Sequence, residues 1–184
     1  METSGKTGSG GSFTPIIIVM IASLIIAFLW DTLEFIKNTV HAILNPTAGV
    51  LLNWNVTWGM MIIVAFLSLL ITIIQKYATD QKTLKEMKNE QKRLNEEAKK
   101  FRDNPEKMME IQKESMKFAM PMMKLSMRAL IFTGIPFILF FRWFNDFFIS
   151  IGSPKFFGIM GWLIFYLIFS IVFSSIFRKI LKVV

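Results

Sequence analysis

Polar side chains inside apolar stretches are the candidates for chemistry in this chain of 184 residues. Ser68, Thr72 and Gln75 are spaced i, i+4 and i+7, and Ser170 and Ser174 are four residues apart, so each set lies on one face of a helix. Polar groups gathered on one face of an apolar helix are candidates for lining a shared site. The full candidate set is Ser68, Thr72, Gln75, Lys76, Ser126, Arg128, Thr133, Ser170 and Ser174.

Two interpretations of this polar set are open. In the first, the hydroxyls bond to helix backbone or to neighbouring helices, and Lys76 and Arg128 extend to lipid headgroups. In the second, the set lines a half-membrane cavity that is open to the cytoplasm and holds a basic group. Such a cavity is energetically expensive, which is typical of a functional site.

Methionine is concentrated in one segment of the chain. Because its side chain is flexible and polarizable, a methionine-rich surface suits the binding of varied apolar partners. The segment is therefore either a packed helical seam or a surface that contacts apolar substrates. Its methionines are Met108, Met109, Met116, Met120, Met122, Met123 and Met127.

Several kinds of chemistry are excluded by what the sequence lacks. There is no Cys, and His41 is the one histidine, which argues against disulfides, thiol catalysis and imidazole metal clusters. No metalloprotease, P-loop or nucleophile-elbow motif occurs. Asp146 is the one carboxylate within the apolar spans, so an intramembrane two-aspartate protease lacks its second acid. We therefore expect no catalytic residue, no metal and no cofactor, and a protein that is not an enzyme.

The elements that position these residues are membrane helices, since 53% of the chain is hydrophobic and 18% is charged. A hydrocarbon core of about 30 Å requires about 20 apolar residues in a helix. Residues 58–74, 129–148 and 156–177 meet this requirement and are predicted to span. In the stretch 16–36 the uncharged run covers only about 22 Å, so this stretch either spans or lies flat on the membrane surface. A cleaved signal peptide is a third interpretation.

The predicted fold class is an all-α integral membrane protein. It has three core transmembrane helices, a cytoplasmic antiparallel coiled-coil hairpin, and an N-terminal hydrophobic helix that is either interfacial or an extra span. The predicted boundaries are 1–14 for a disordered N-terminus, 15–45 for the N-terminal hydrophobic helix, 55–76 for core helix 1, 77–120 for the hairpin, 121–149 for core helix 2 with its methionine-rich approach, 156–178 for core helix 3, and 179–184 for a cytoplasmic tail.

The hairpin prediction rests on a heptad pattern followed by a break. Leu84, Met87, Leu94, Ala98 and Phe101 fit the apolar positions, with Gln91 as a polar exception. The sequence DNPE at 103–106 then ends one helix and starts the next, because the residue before proline avoids the helical region and Pro105 suits a first helical position. The chain is expected to reverse there.

Orientation follows from the basic residues. Lys and Arg are dense in residues 75–128, which places the hairpin in the cytoplasm together with the C-terminus. The N-terminus is cytoplasmic if the first stretch spans, and outside if that stretch is interfacial. The excess of positive charge on the hairpin favours RNA or anionic lipid headgroups. Since no aromatic residues are interleaved with the cations, sequence-specific binding of nucleic acid is not expected.

The order of these parts resembles a known superfamily. A span ending in IIQKY (73–77), a basic hairpin containing DNPEKM (103–108), a methionine-rich re-entry and two closely spaced spans are similar to the YidC/Oxa/Alb membrane insertases over residues 58–182. The closest resemblance is to the small archaeal members, which are related to the EMC insertase subunit. Bacterial members have five core spans, and here two of them are missing.

The resemblance implies an architecture and a function. Three core helices would surround a hydrophilic groove open to the cytoplasm and to lipid, and Lys76 would occupy the place of the groove's basic residue, where the family usually has Arg. The implied function is insertion of hydrophobic nascent segments into the plasma membrane. The implied partners are the translating ribosome, nascent chains, membrane lipids and the general translocation channel. Two alternatives stay open, a noncatalytic coiled-coil scaffold anchored in the membrane and a small oligomeric channel.

Overall fold

The computed structural model describes residues 14–101 and 103–183, so most of the predicted disordered N-terminus lies outside the described residues. The regular structure in those ranges is helical and includes no β-strand, which confirms the predicted all-α class. The helices are α1 (Thr14–Phe28), α2 (Glu34–Leu44), α3 (Val50–Trp54), α4 (Val56–Ala78), α5 (Gln81–Lys100), α6 (Pro105–Met116), α7 (Ala119–Ser150) and α8 (Trp162–Leu181), with a π-helical turn at Asn45–Gly49 before α3.

Three segments of the described chain are long and apolar enough to cross a membrane, in agreement with the three predicted core spans. They are Val56–Ala78, Pro105–Ser150 and Trp162–Leu181, of which the second includes both α6 and α7. Helix α1 is also apolar but has only 15 residues. At 1.5 Å per residue it is about 22 Å long, shorter than the hydrocarbon core.

The long helices alternate in direction. Helix α4 runs toward the α5–α6 hairpin, and we call this end of the bundle the hairpin end and the opposite one the far end. Helix α8 is parallel to α4, since Gln75 and Arg178 meet at the hairpin end. Helix α7 leaves the hairpin and runs back to the far end, packing on α4 and α1.

The first apolar stretch divides into two helices with different places in the fold. Helix α1 lies lengthwise along α7 in the same direction, because Val19 lies beside Gly134 and Trp30 beside Asp146. A Cβ atom on Gly134 would lie 2.9 Å from Val19 Cγ1, so any larger residue there would force the Val19 side chain or the helices to shift. Helix α1 thus begins at the hairpin end, and α2 is a separate helix at the far end.

Aromatic side chains fill the far half of the bundle. Trp143, Phe144, Phe148 and Phe165 are fully buried. Phe148 stacks on Trp162 with ring centroids 5.7 Å apart, which joins α7 to α8. Because lipid tails are as apolar as these rings, close packing rather than transfer from water provides the stabilisation.

Helices α3 and α4 approach closely at Gly59. An added Cβ atom there would lie 2.2 Å from the carbonyl oxygen of Leu51. Asn55 turns the chain between the two helices, and its Oδ1 accepts hydrogen bonds from the backbone N–H of Thr57 and Trp58 at 3.1 and 3.0 Å. This side-chain cap is the usual way to satisfy free N–H groups at a helix start.

Helices α5 and α6 pack antiparallel, and the chain reverses at the predicted position. Leu94, Ala98 and Ile111 form the buried seam. Asn104 caps α6 by accepting from the N–H of Lys107 at 3.2 Å, with Pro105 in the first helical position. At the start of α5, the Thr83 hydroxyl and backbone N–H donate to Asp80, which lowers the pKa of that carboxyl.

Residues 156–161 were predicted to belong to the last span but form a compact turn. The N–H of Phe156 donates to the carbonyl of Met160 at 2.7 Å. Phe157 and Gly158 have positive φ angles of 52° and 78°, which are incompatible with a right-handed helix. Hydrophobicity alone did not reveal this turn, so α8 begins at Trp162.

Candidate polar cleft

A cleft runs along α8 in the hairpin half of the bundle, bordered by Ser68 and Ile71 of α4 and by Phe137 of α7. On the far side of this cleft α7 and α8 are bridged by aromatic rings, including Phe137 against Tyr166 with centroids 6.0 Å apart. The cleft has a volume of about 420 Å³. Its lining residues are Ser68, Ile71, Phe137, Tyr166, Leu167, Ser170, Ile171, Ser174, Ser175 and Arg178.

Several of the predicted polar residues meet here. Ser68 of α4 lines the same cleft as Ser170 and Ser174 of α8. Thr72 lies one turn beyond Ser68 and is completely buried. Gln75 lies at the mouth, where its Oε1 accepts a hydrogen bond from Arg178 Nη2 at 2.8 Å. The polar faces that helical spacing predicts on α4 and α8 therefore meet at this cleft.

The hydroxyl groups of the polar set bond to helix backbone, and some of them also line the cleft. Thr72 donates to the carbonyl of Ser68 at 2.7 Å, and Ser170 donates to that of Leu167 at 2.9 Å. Thr133 of α7 likewise donates to Ala129 at 3.0 Å. Ser170 satisfies its donor within its own helix and still lines the cleft, where its oxygen can accept a hydrogen bond.

Other predicted site residues lie elsewhere. Lys76, Ser126 and Arg128 are exposed and do not line the cleft. Thr133 is half-buried and is absent from the cleft lining as well. The superfamily resemblance implies that Lys76 is the basic residue of the groove. The cation that lines this cleft is a different residue.

That cation is Arg178, which is not among the predicted site residues. It lies in the last turn of α8 and lines the mouth of the cleft. The sequence does indicate that Arg178 belongs to the polar face of α8, because Ser170, Ser174 and Arg178 are spaced i, i+4 and i+8. Tyr166, which is buried at the inner end of the cleft, extends the same face by one turn.

The methionines at the hairpin end divide into exposed and packed groups. Met109, Met116, Met120 and Met123 are exposed, with Met116 at 69%. Met108 packs against the hairpin seam. Met122 and Met127 are half-buried. Met116, Met120 and Met123 lie at the passage from α6 into α7, next to the hairpin end of the bundle, whereas Met109 lies in the first half of α6.

A second polar cluster, unconnected with this cleft, lies at the far end around Asp146 of α7. Its Oδ2 accepts a hydrogen bond from Trp30 Nε1 at 2.8 Å and lies 3.1 Å from His41 Nε2. Lys37 Nζ is 3.6 Å from the same oxygen. The i, i+4 spacing of Arg142 and Asp146 on α7 would allow a local pair, but Asp146 instead contacts Trp30 and the segment that contains α2.

The remaining charges of this far-end cluster are also paired. Asp31 accepts from Lys37 at 2.7 Å and from Arg142 at 3.4 Å. The hydrogen bond to Asp31 raises the pKa of the Lys37 ammonium, and the nearby negative charge of Asp146 acts in the same direction. These contacts fasten α2, and the turn that follows α1, to the end of α7.

Comparison with protein families places the chain in a known group. A family described as EMC3/TMCO1-like integral membrane proteins matches residues 41–156. The matched region includes α4, the hairpin and α7 and ends before α8, so the α8 wall of the cleft lies outside it. No curated protein and no solved structure matches the chain. The match covers more than half of the sequence, and the chain therefore belongs to the EMC3/TMCO1-like family of integral membrane proteins, which is related to the membrane-insertase superfamily.

Proposed function

We propose that this protein is a membrane insertase of the small archaeal YidC-like type. It accepts hydrophobic nascent segments from the ribosome and releases them into the bilayer. The observation that carries the proposal is the cleft along α8, in which four serines and Arg178 lie among apolar side chains and which reaches the hairpin end. Membership of a family related to the insertases supports it.

The cleft lowers the barrier to insertion through solvation. A charged group at the centre of a bilayer costs about 3 kcal/mol or more. Within the hairpin half of the bundle, the polar flank of a substrate can instead contact the serine hydroxyls and Arg178. Only the far half of the hydrocarbon layer then has to be crossed without polar contacts. No covalent step is required, so the proposal includes no enzymatic reaction and no cofactor.

The exposed methionines receive the apolar part of the substrate. Met116, Met120 and Met123 follow one another at about one helical turn, at the junction of α6 and α7. Their flexible side chains suit segments of differing shape. The segment then leaves sideways into lipid between α7 and α8, whose contacts in the far half are side-chain rings rather than close backbone packing.

The orientation follows from charge. Among the described residues, Lys37, Arg142 and Lys155 are the lysine and arginine side chains at the far end, and the other lysines and arginines lie toward the hairpin end. The positive-inside rule then places the hairpin in the cytoplasm, where ribosomes and the translocation channel are accessible. We assign the protein to the plasma membrane as a multi-pass component.

Site-specific photo-crosslinking tests the proposal. The full chain carries a photo-reactive residue at Ser174 in the cleft, or at Ile176 on the opposite face of α8 as the matched control. Ribosomes stalled with an emerging hydrophobic segment are added to membranes that contain each variant. We expect crosslinks from Ser174 to the nascent chain that disappear when the segment is made polar, and no such crosslinks from Ile176.

Crosslinks of equal strength from both positions would remove the cleft from the mechanism. A probe at Met120 tests the methionine surface in the same way. If Ser174 and Met120 crosslink only to folded proteins while ribosome complexes form, the membrane-anchored scaffold replaces the insertase as the better proposal.

A further inference from the structure

Arg178 differs from the other paired arginines of the described chain in the chemistry of its partner. Arg93 pairs with Glu90 and Glu97, and Arg142 pairs with Asp31. Arg178 contacts the neutral amide of Gln75, and no ion pair joins it to a carboxylate in residues 14–101 or 103–183. A guanidinium that has no carboxylate partner among the described residues, and that is exposed at the mouth of a cleft, has capacity for an anionic ligand.

The position of Arg178 indicates which anion can reach it. It lies in the last turn of a candidate span, at the end where an apolar helix meets the headgroup layer. Lys179 and Lys182 follow it and are exposed, so the local potential is positive. A planar guanidinium donates two parallel hydrogen bonds to a phosphate, which makes arginine well suited to phosphate recognition.

The walls of the cleft distinguish a lipid from a free anion. Beside Arg178 are the hydroxyls of Ser170, Ser174 and Ser175, which match the polar glycerol and ester region of a lipid. Ile171 continues the apolar surface of α8 toward the bilayer and is 67% exposed. A phosphate ion would use only the guanidinium, whereas a phospholipid would use the cation, the hydroxyls and the apolar flank.

We propose that the mouth of this cleft binds the headgroup of an anionic phospholipid. The phosphate accepts hydrogen bonds from Arg178 in place of Gln75, the glycerol region lies against the serines, and the acyl chains lie along the outer face of α8. This site goes beyond the insertase proposal, because it does not require that the cleft ever hold a polypeptide. If both ligands use the cleft, lipid and substrate compete for Arg178.

Native mass spectrometry of the full chain in detergent tests the site. Phosphatidylglycerol is titrated against the wild type, Arg178→Gln and Lys179→Gln, with phosphatidylcholine as the zwitterionic comparison. Lys179→Gln is the matched control, since it removes the same charge from the neighbouring residue, which does not line the cleft. We expect Arg178→Gln to weaken phosphatidylglycerol binding about tenfold and Lys179→Gln to weaken it less than about twofold.

Three outcomes would overturn the proposal. Equal losses of phosphatidylglycerol affinity in Arg178→Gln and Lys179→Gln would show that only general surface charge matters. Unchanged binding in Arg178→Gln would show that Arg178 does not bind the lipid. Displacement of phosphatidylglycerol by millimolar inorganic phosphate would show an anion site without lipid selectivity. Arg178→Lys should restore part of the affinity. Since the readout is lipid binding, its result does not depend on whether the protein inserts substrates.

Discussion

The two ends of the bundle differ in how their charged side chains are paired. At the far end, Asp146 is surrounded by Trp30, His41 and Lys37, so the charges are compensated within the protein. At the hairpin end, Arg178 has a neutral partner, and the serines line a cleft. A compensated cluster holds helices together, whereas an uncompensated one retains capacity for a ligand. The difference lies in the pairing of the charges and not in open space, because Asp146 and His41 also line a far-end cavity of about 460 Å³.

The largest expected effect is at the far end, where α3 meets α4. Gly59→Ala places a Cβ atom 2.2 Å from the carbonyl oxygen of Leu51, and backbone must shift to relieve the clash. We expect a loss of about 3 kcal/mol in the free energy of unfolding. Gly161→Ala is the control, because an added Cβ there meets nothing within 4 Å. Denaturant unfolding in detergent measures both variants, and equal stability would contradict the close approach.

The next effect concerns the far-end charges. Asp146→Asn removes the carboxylate that compensates Lys37, and we expect a destabilisation of about 2 kcal/mol, less than for a fully buried pair. Asp31→Asn should cost less than about 1 kcal/mol, because the side chain of Asp31 is 74% exposed whereas that of Asp146 is 19% exposed. Thermal unfolding measures the difference. A larger effect for Asp31→Asn would reverse the proposed roles of the two carboxylates.

At the hairpin end we expect an effect on function without a loss of stability. Ser170→Leu combined with Ser174→Leu fills the cleft with apolar side chains, and insertion of substrates with acidic flanks should fall about tenfold. Ser126→Leu is the control, because Ser126 is exposed outside the cleft. Insertion into proteoliposomes and the unfolding midpoint are measured together. A lower midpoint with unchanged insertion would make the cleft a structural feature only.

The smallest effect is a pH dependence at the far end. The hydrogen bond to Asp31 raises the pKa of Lys37 in the folded protein. The stabilisation is fully present below the ordinary lysine pKa of about 10.4 and is lost as the pH rises through the raised value. We expect the wild type to lose more thermal stability than Lys37→Arg between about pH 9 and about pH 12, since arginine stays charged. If thermal stability falls equally with pH in the wild type and in Lys37→Arg, the Lys37 ammonium does not contribute to the pH dependence.

The sequence predicted the helices well because their signals are local. Apolar runs located the three spans, and the DNPE segment located the reversal between α5 and α6. The polar face of α8 was also predicted, because helical spacing places Ser170 and Ser174 together. Pro121 lies in the first turn of α7, where a proline is tolerated since the N–H groups there have no helical partner.

The contacts that join distant segments were not predictable from spacing. Trp30 and Asp146 are separated by 116 residues, and neither flanking sequence indicates the other. The i, i+4 spacing of Arg142 and Asp146 suggested a local pair, but the segment from Trp30 to His41 provides both of their partners. Arg178 was overlooked because a basic residue at the end of a span is usually explained by topology alone.

The aromatic rings that bridge α7 and α8 also affect electrical leakage. Phe141 contacts Tyr166 edge to face with centroids 4.9 Å apart, and Phe137 closes the inner end of the cleft. Water and ions that enter from the hairpin end therefore meet a plug of packed hydrocarbon halfway across the bundle. A bilayer containing the protein should retain its resistance to proton and salt currents, so that a cell could maintain its membrane potential while the cleft stands open.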